Sequence, residues 1–254
     1  MDDFVKTAGL VLVLLILFGC AQAPPKPTAP SEYAYSVHAL NYSVGNSTLS
    51  ALLCEPNGTN SKTPGLVLTG GDGVTAEKMR SICEAFAKKG FLVLAHDNPS
   101  GGTLAEEVGA VVEGAKILRS NSSSRPVALW AHSAGTIFSS FAAYEPTVKP
   151  FAFIDTSGHM QIPICDKPGT ASPVGGQCLA YWSEFPASIM IVQGENDSVV
   201  DASFAQEFST RLSNAGKFHR ILMVPGGEHE FMLDKSGVLD AETEFLMQAA
   251  GESR

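Results

Sequence analysis

The sequence is short of charge. Only 17% of its residues are Asp, Glu, Lys or Arg, and no run of lysines or arginines stands out. Acids outnumber bases, leaving a formal net charge of −9 at pH 7. Such a surface repels phosphate backbones, which argues against nucleic acid as a partner. The apolar stretch at residues 7–21 falls short of the roughly 20 residues that span a membrane comfortably. None of the cysteine spacings matches a zinc site, so no metal is expected. Low charge together with 44% hydrophobic residues excludes wholesale disorder. The 254 residues suit one large α/β domain, able to bury a core without staples.

The first 20 residues differ in kind from the rest. The stretch 7–21 fits the apolar region of an export signal. Its end, Leu17-Phe18-Gly19-Cys20, resembles the lipobox of lipoprotein signals. That resemblance implies a lipid on Cys20, which then becomes the mature N-terminus; the alternative is an uncleaved anchor that contains a cysteine. Residues 21–32 are rich in Pro and poor in large apolar groups, as a tether is. The domain itself is expected over 33–254, exported and held at a membrane by lipid or signal anchor. Export permits disulfides among Cys54, Cys83, Cys165 and Cys178. Cys165 and Cys178 flank a Gly/Pro-rich loop and are the preferred pair. Cys54 and Cys83 could pair or remain buried thiols.

Past a hairpin at 33–55, broken near Gly45-Asn46, apolar runs alternate with amphipathic segments. Buried strands are predicted at 65–73 with its exit loop, 91–99, 126–132, 150–158, 188–197 and 218–230. Helices are predicted between them, except across the irregular stretch 157–186, and at 238–250, the first running from an N-cap at Thr75 to a C′ glycine at Gly90. This alternation implies a mostly parallel sheet with helices on both faces, and a ligand site beyond the C-terminal strand ends. The loops there carry polar chemistry. They hold Asp72 among glycines, Ser133 between Ala131 and Gly135, Asp197, and His229.

Ser, Asp and His in that order, on alternating β and α segments, resemble the α/β-hydrolase superfamily. The single-domain build resembles its dienelactone hydrolase and cutinase-like polyester hydrolase branches. The resemblance covers the chain from about residue 33 onward. It implies Ser133 as nucleophile on a strained elbow, His229 as its base and Asp197 as the acid orienting that base. Asp201 and Asp155 are rivals for the acid, and a helix-cap role is the alternative for Ser133. The backbone N–H groups of Ala134 and Asp72 would hold the oxyanion, with Gly71 and Gly73 the alternatives to Asp72. Gly71, Gly73, His132 and Trp182 are candidates for contact with substrate, core packing being the other reading of Trp182. Residues 157–186 could fold as a small lid pinned by Cys165–Cys178. The resulting expectation is a monomeric serine hydrolase acting on small or polymeric carboxylic esters without a cofactor. A peptidase or acyltransferase on the same triad, or a non-catalytic binding lipoprotein, are the alternatives.

Overall fold

The computed structural model describes residues 32–99, 101–158, 164–165, 168, 180–230, 235 and 237–252. The expected export signal, the tether up to residue 31 and Cys20 lie outside the described residues. The chain opens with the hairpin of β1 (Tyr35–Val44) and β2 (Ser47–Pro56). The predicted alternation follows: β3 (Gly65–Thr69), α1 (Arg80–Lys88), β4 (Leu92–His96), α2 (Leu104–Arg119), β5 (Val127–His132), α3 (Gly135–Ala143) and β6 (Ala152–Thr156). Two short strands, β7 (Ile164–Cys165) and β8 (Ala180–Tyr181), pair only with each other. Then come β9 (Ser188–Gly194), α4 (Ala202–Asn214), β10 (His219–Val224) and α5 (Val238–Glu252).

Eight strands form one sheet in the order β1-β2-β4-β3-β5-β6-β9-β10. β2 runs antiparallel to β1 and β4, and all other neighbours are parallel. The strands β3 to β6 are buried along their whole length. That explains their unbroken apolar runs: helices cover both faces. On β5, Ala128 and Trp130 face α1 and α5, while Val127, Leu129 and Ala131 face α2, α3 and α4. The chain leaving β3 therefore runs to a helix on one face, and the chain leaving β5 to a helix on the other.

Helix ends follow local chemistry. At α2 a capping box forms: the Thr103 hydroxyl accepts from the Glu106 N–H, and the Glu106 carboxylate accepts from the Thr103 N–H. α1 departs from the expectation. It begins at Arg80 after a 3-10 turn at Glu77–Met79, and the Thr75 hydroxyl caps that turn by accepting from the Lys78 N–H at 3.4 Å. The Asp97 carboxylate also fixes this entry by accepting from the Ala76 N–H at 2.7 Å. Gly90 ends the helix as predicted, at a φ of +92°.

Cys54 of β2 and Cys83 of α1 form a disulfide, with Cα atoms 5.9 Å apart and both residues fully buried. The sequence left this pair open. Cys165 is also disulfide-bonded, while Cys178, its expected partner, lies outside the described residues. Of the expected lid at 157–186, the described part includes Trp182 and Phe185, both buried in the core beside α4. A cross-link over 29 residues stabilises by about 3–4 kcal/mol through loop closure in the unfolded chain. Replacing Cys54 and Cys83 together by Ala is expected to lower the melting temperature by roughly 10 °C, measured calorimetrically under non-reducing conditions.

Candidate active site

β5 delivers Ser133 to the C-terminal edge of the sheet. The serine takes a φ of +53°, a left-handed conformation that costs energy for any residue with a Cβ. Its surroundings impose that turn. Ser133 donates its N–H to the Thr156 carbonyl at 3.1 Å, and α3 begins two residues later. Close backbone approach requires the flanking glycines. A Cβ on Gly135 would lie 2.3 Å from the Gly70 carbonyl oxygen, and one on Gly71 would lie 2.9 Å from the Ser133 Cβ. The loop after β3 is thus packed directly on the elbow.

Two further strand-end loops meet the serine. His229 Nε2 lies 3.0 Å from Ser133 Oγ, and His229 Nδ1 lies 3.0 and 3.1 Å from the two oxygens of Asp197. A neutral imidazole with its proton on Nδ1 donates to Asp197 and accepts from the serine hydroxyl. Asp197 also accepts from the Val199 and Val200 N–H groups and from Gln193 Nε2. Burial pushes its carboxyl up, but the Val200 N–H, His229, the Val199 N–H and Gln193 outweigh burial and hold it below the usual range. The loops carrying Asp197 and His229 are stitched together by the Asn196 N–H, which donates to the Gly227 carbonyl at 2.8 Å.

The first turn of α3 places the Ala134 N–H beside Ser133, where a helix leaves its N-terminal donors open. Opposite it stands the loop 70–73. Asn98 fixes that loop by donating from Nδ2 to the carbonyls of Gly70 and Gly71 at 2.7 and 2.9 Å. Asp72 has an exposed side chain, and Gly73 shapes the turn at a φ of +66°. Burial, then Asp72 and Glu106, push the nearby Glu107 carboxyl up to about 7. Among the described residues, no cluster of His, Cys, Asp and Glu could hold a metal.

No protein-family model matches the sequence. No curated protein sequence matches it either. Solved structures do match. Est1E from Butyrivibrio proteoclasticus superposes with a TM-score of 0.66 at 18% identity, covering 84% of this chain and 99% of that one. A thermostable carboxyl esterase from Bacillus coagulans gives 0.67 at 12%, covering 85% and 100%. An acylaminoacyl peptidase gives 0.61 at 13%, but only 41% of that chain is covered. This is the α/β-hydrolase fold. The resemblance read from the order of strand-end residues holds at the level of architecture.

Two of the expected substrate contacts need correction. His132, a residue of the α/β-hydrolase elbow strand, is 4% exposed. Its Nε2 donates to the His229 carbonyl at 2.6 Å, and its ring stacks on Trp130. It sits beneath His229 and supports it. Trp182 is 1% exposed and packs between Phe185 and Phe208, so it belongs to the core. The rivals for the acid are occupied elsewhere. Asp201 accepts from the Ser203 N–H as the cap of α4, and Asp155 is buried against the Gly158 backbone. Neither Asn98 nor Gln193 carries a sequence signal: the partners of Asn98 become neighbours only in the folded chain, and Gln193 belongs to no motif.

Below the elbow lies a second buried carboxyl. Glu242 of α5 accepts from Trp130 Nε1 at 3.3 Å, and burial pushes it up to about 8. The folded chain therefore keeps a proton that the unfolded chain releases near its ordinary value. Stability from this group is full below about pH 4.5 and falls as pH rises toward 8. Glu242→Gln is expected to flatten the decline of melting temperature between pH 5 and 8, leaving a smaller slope from Asp155, which burial pushes up to about 7.

Proposed function

We propose that the protein is a serine hydrolase that cleaves carboxylic esters through an acyl-enzyme. The observation that carries this reading is the unbroken contact from Ser133 through His229 to Asp197, with the serine on a strained turn. His229 Nε2 takes the hydroxyl proton as Ser133 Oγ attacks the ester carbonyl, and Asp197 stabilises the imidazolium that forms. The N–H of Ala134 and one from the loop 70–73, with Asp72 first, receive the developing oxyanion. His229 passes its proton to the leaving alkoxide. Water then enters and attacks the acyl carbon as His229 takes its proton; His229 returns that proton to Ser133 Oγ as the acyl–oxygen bond breaks and the acid leaves. No metal or organic cofactor takes part.

The acidic side chains around the loop 70–73, Asp72, Glu106 and Glu107, favour neutral over anionic substrates. The esterases among the solved neighbours support ester chemistry, and the acylaminoacyl peptidase keeps amides as the alternative. We further propose that the protein works outside the cytoplasm, tethered through Cys20. The buried Cys54–Cys83 bridge fits an oxidising compartment, and the apolar stretch at 7–21 supplies a route there.

A panel of nitrophenyl esters of rising acyl length, run beside peptide amides, tests the reading. Turnover of esters by wild type and a loss of roughly 10³-fold or more in kcat for Ser133→Ala are the expected results. Equal failure of wild type and variant on every ester would overturn it. Asn98→Ala is expected to lower kcat by about tenfold or more while KM changes little, because the loop it holds acts on charge that exists only in the transition state.

A further inference from the structure

Asparagine is scarce in this chain, and its placement is uneven. Five of the eight asparagines begin an Asn-x-Ser/Thr triplet with no proline in the middle: Asn41, Asn46, Asn57, Asn121 and Asn196. Serine and threonine make up 39 of 254 residues, so chance would give about one such triplet among eight asparagines. The triplet is the acceptor signal for N-linked glycans in exported chains.

The fold keeps Asn98 apart, while the five share exposure with Asn60 and Asn214. All five are exposed. Asn46 is in the tip of the β1–β2 hairpin, Asn57 in the turn after β2, and Asn121 in the turn after α2. Asn41 points outward from β1, the outermost strand, and borders an open groove of about 440 Å³ shared with Ser50, Thr75, Glu77 and Asp97. By contrast Asn98, whose triplet proline spoils, is half-buried and spends its amide on the carbonyls of Gly70 and Gly71. Asn196 meets the sequence rule, but it directly precedes Asp197 at the mouth of the site, where a bulky group would stand over His229.

We propose that Asn41, Asn46, Asn57 and Asn121 are N-glycosylation sites; this rests on the export reading given above. The donor class is an oligosaccharide linked to a lipid pyrophosphate, handled by a separate transferase on the outer face of the membrane. The side-chain nitrogen of each asparagine forms a bond to sugar C1 as the bond from C1 to the pyrophosphate oxygen breaks. The amide gives up one proton to the transferase, and the lipid pyrophosphate leaves with the electron pair. Modification of the threaded chain precedes folding, so each site must tolerate a sugar in the folded state, and exposure at all four provides that. Sugars on Asn41 and Asn46 also shield the edge formed by β1, whose unpaired backbone groups would otherwise invite strand pairing with another chain. Asn57 and Asn121 lie near the strand ends opposite Ser133, so their sugars leave the site open.

The full chain, recovered from membranes of the cells that naturally make it, is digested and its peptides are weighed by mass spectrometry. Intact cells are labelled in parallel with a membrane-impermeant amine reagent. Sugar-bearing peptides at three or four of the four sites, each lost in the matching Asn→Gln variant and also in Ser43→Ala, Thr48→Ala, Thr59→Ala or Ser123→Ala, support the proposal. Bare asparagine at two or more sites overturns it. If the bare chain is labelled on intact cells, export stands and only glycosylation falls. If it is not labelled, both fall together.

Discussion

The contact on which the rest of this structure depends is the packing of one backbone turn on another at the sheet edge. Ser133 holds a left-handed conformation because the loop after β3 presses on it, with Gly71 against the serine and the Gly70 carbonyl against Gly135. A methyl group at either glycine would force the loops apart. That separation would cost the serine its hydrogen bond to His229 and pull the loop 70–73 away from Ala134. Position here is set by the absence of atoms, and the loop is secured from behind by Asn98 and Asp97.

The buried charges divide into two kinds. Asp197 is surrounded by donors: two backbone N–H groups, an amide and an imidazole. It keeps its negative charge in the interior because each lone pair is answered. Glu242, beside Trp130 and Thr156, and Asp155, beside the Gly158 backbone, have fewer donors, and burial pushes their carboxyls up to about 8 and about 7. The contrast makes chemical sense of their places. A carboxylate ringed by donors keeps its charge. A carboxyl wedged under Trp130 serves packing as well or better without one. His132 links the two levels, stacked on Trp130 below and bonded to the His229 backbone above.

Much of this was legible in the chain. Fully buried parallel strands announce themselves as unbroken apolar runs, so the strand ends were readable, and with them Ser133, Asp197 and His229. The order of the three residues needed no knowledge of distance. What could not be read depends on partners far apart in sequence. Asn98 meets Gly70 and Gly71 across the β3–β4 pairing; Gln193, by contrast, has the nearby Asp197 as its partner but no motif to mark it. His132 reads as a substrate candidate beside Ser133, and Trp182 as either a wall of the 157–186 stretch or a core residue; the fold turns both inward. The Cys54–Cys83 bridge was one of several open pairings because a strand-to-helix approach leaves no spacing signature.

The divergence of the chain after β3 and β5 has an evolutionary consequence. One connection departs to the face of α1 and its neighbour to the face of α3, so a crevice opens between them as a product of strand order alone. No side chain has to be carved away to create it. The loops that wall it can vary in length and composition while the strand ends beneath them stay fixed.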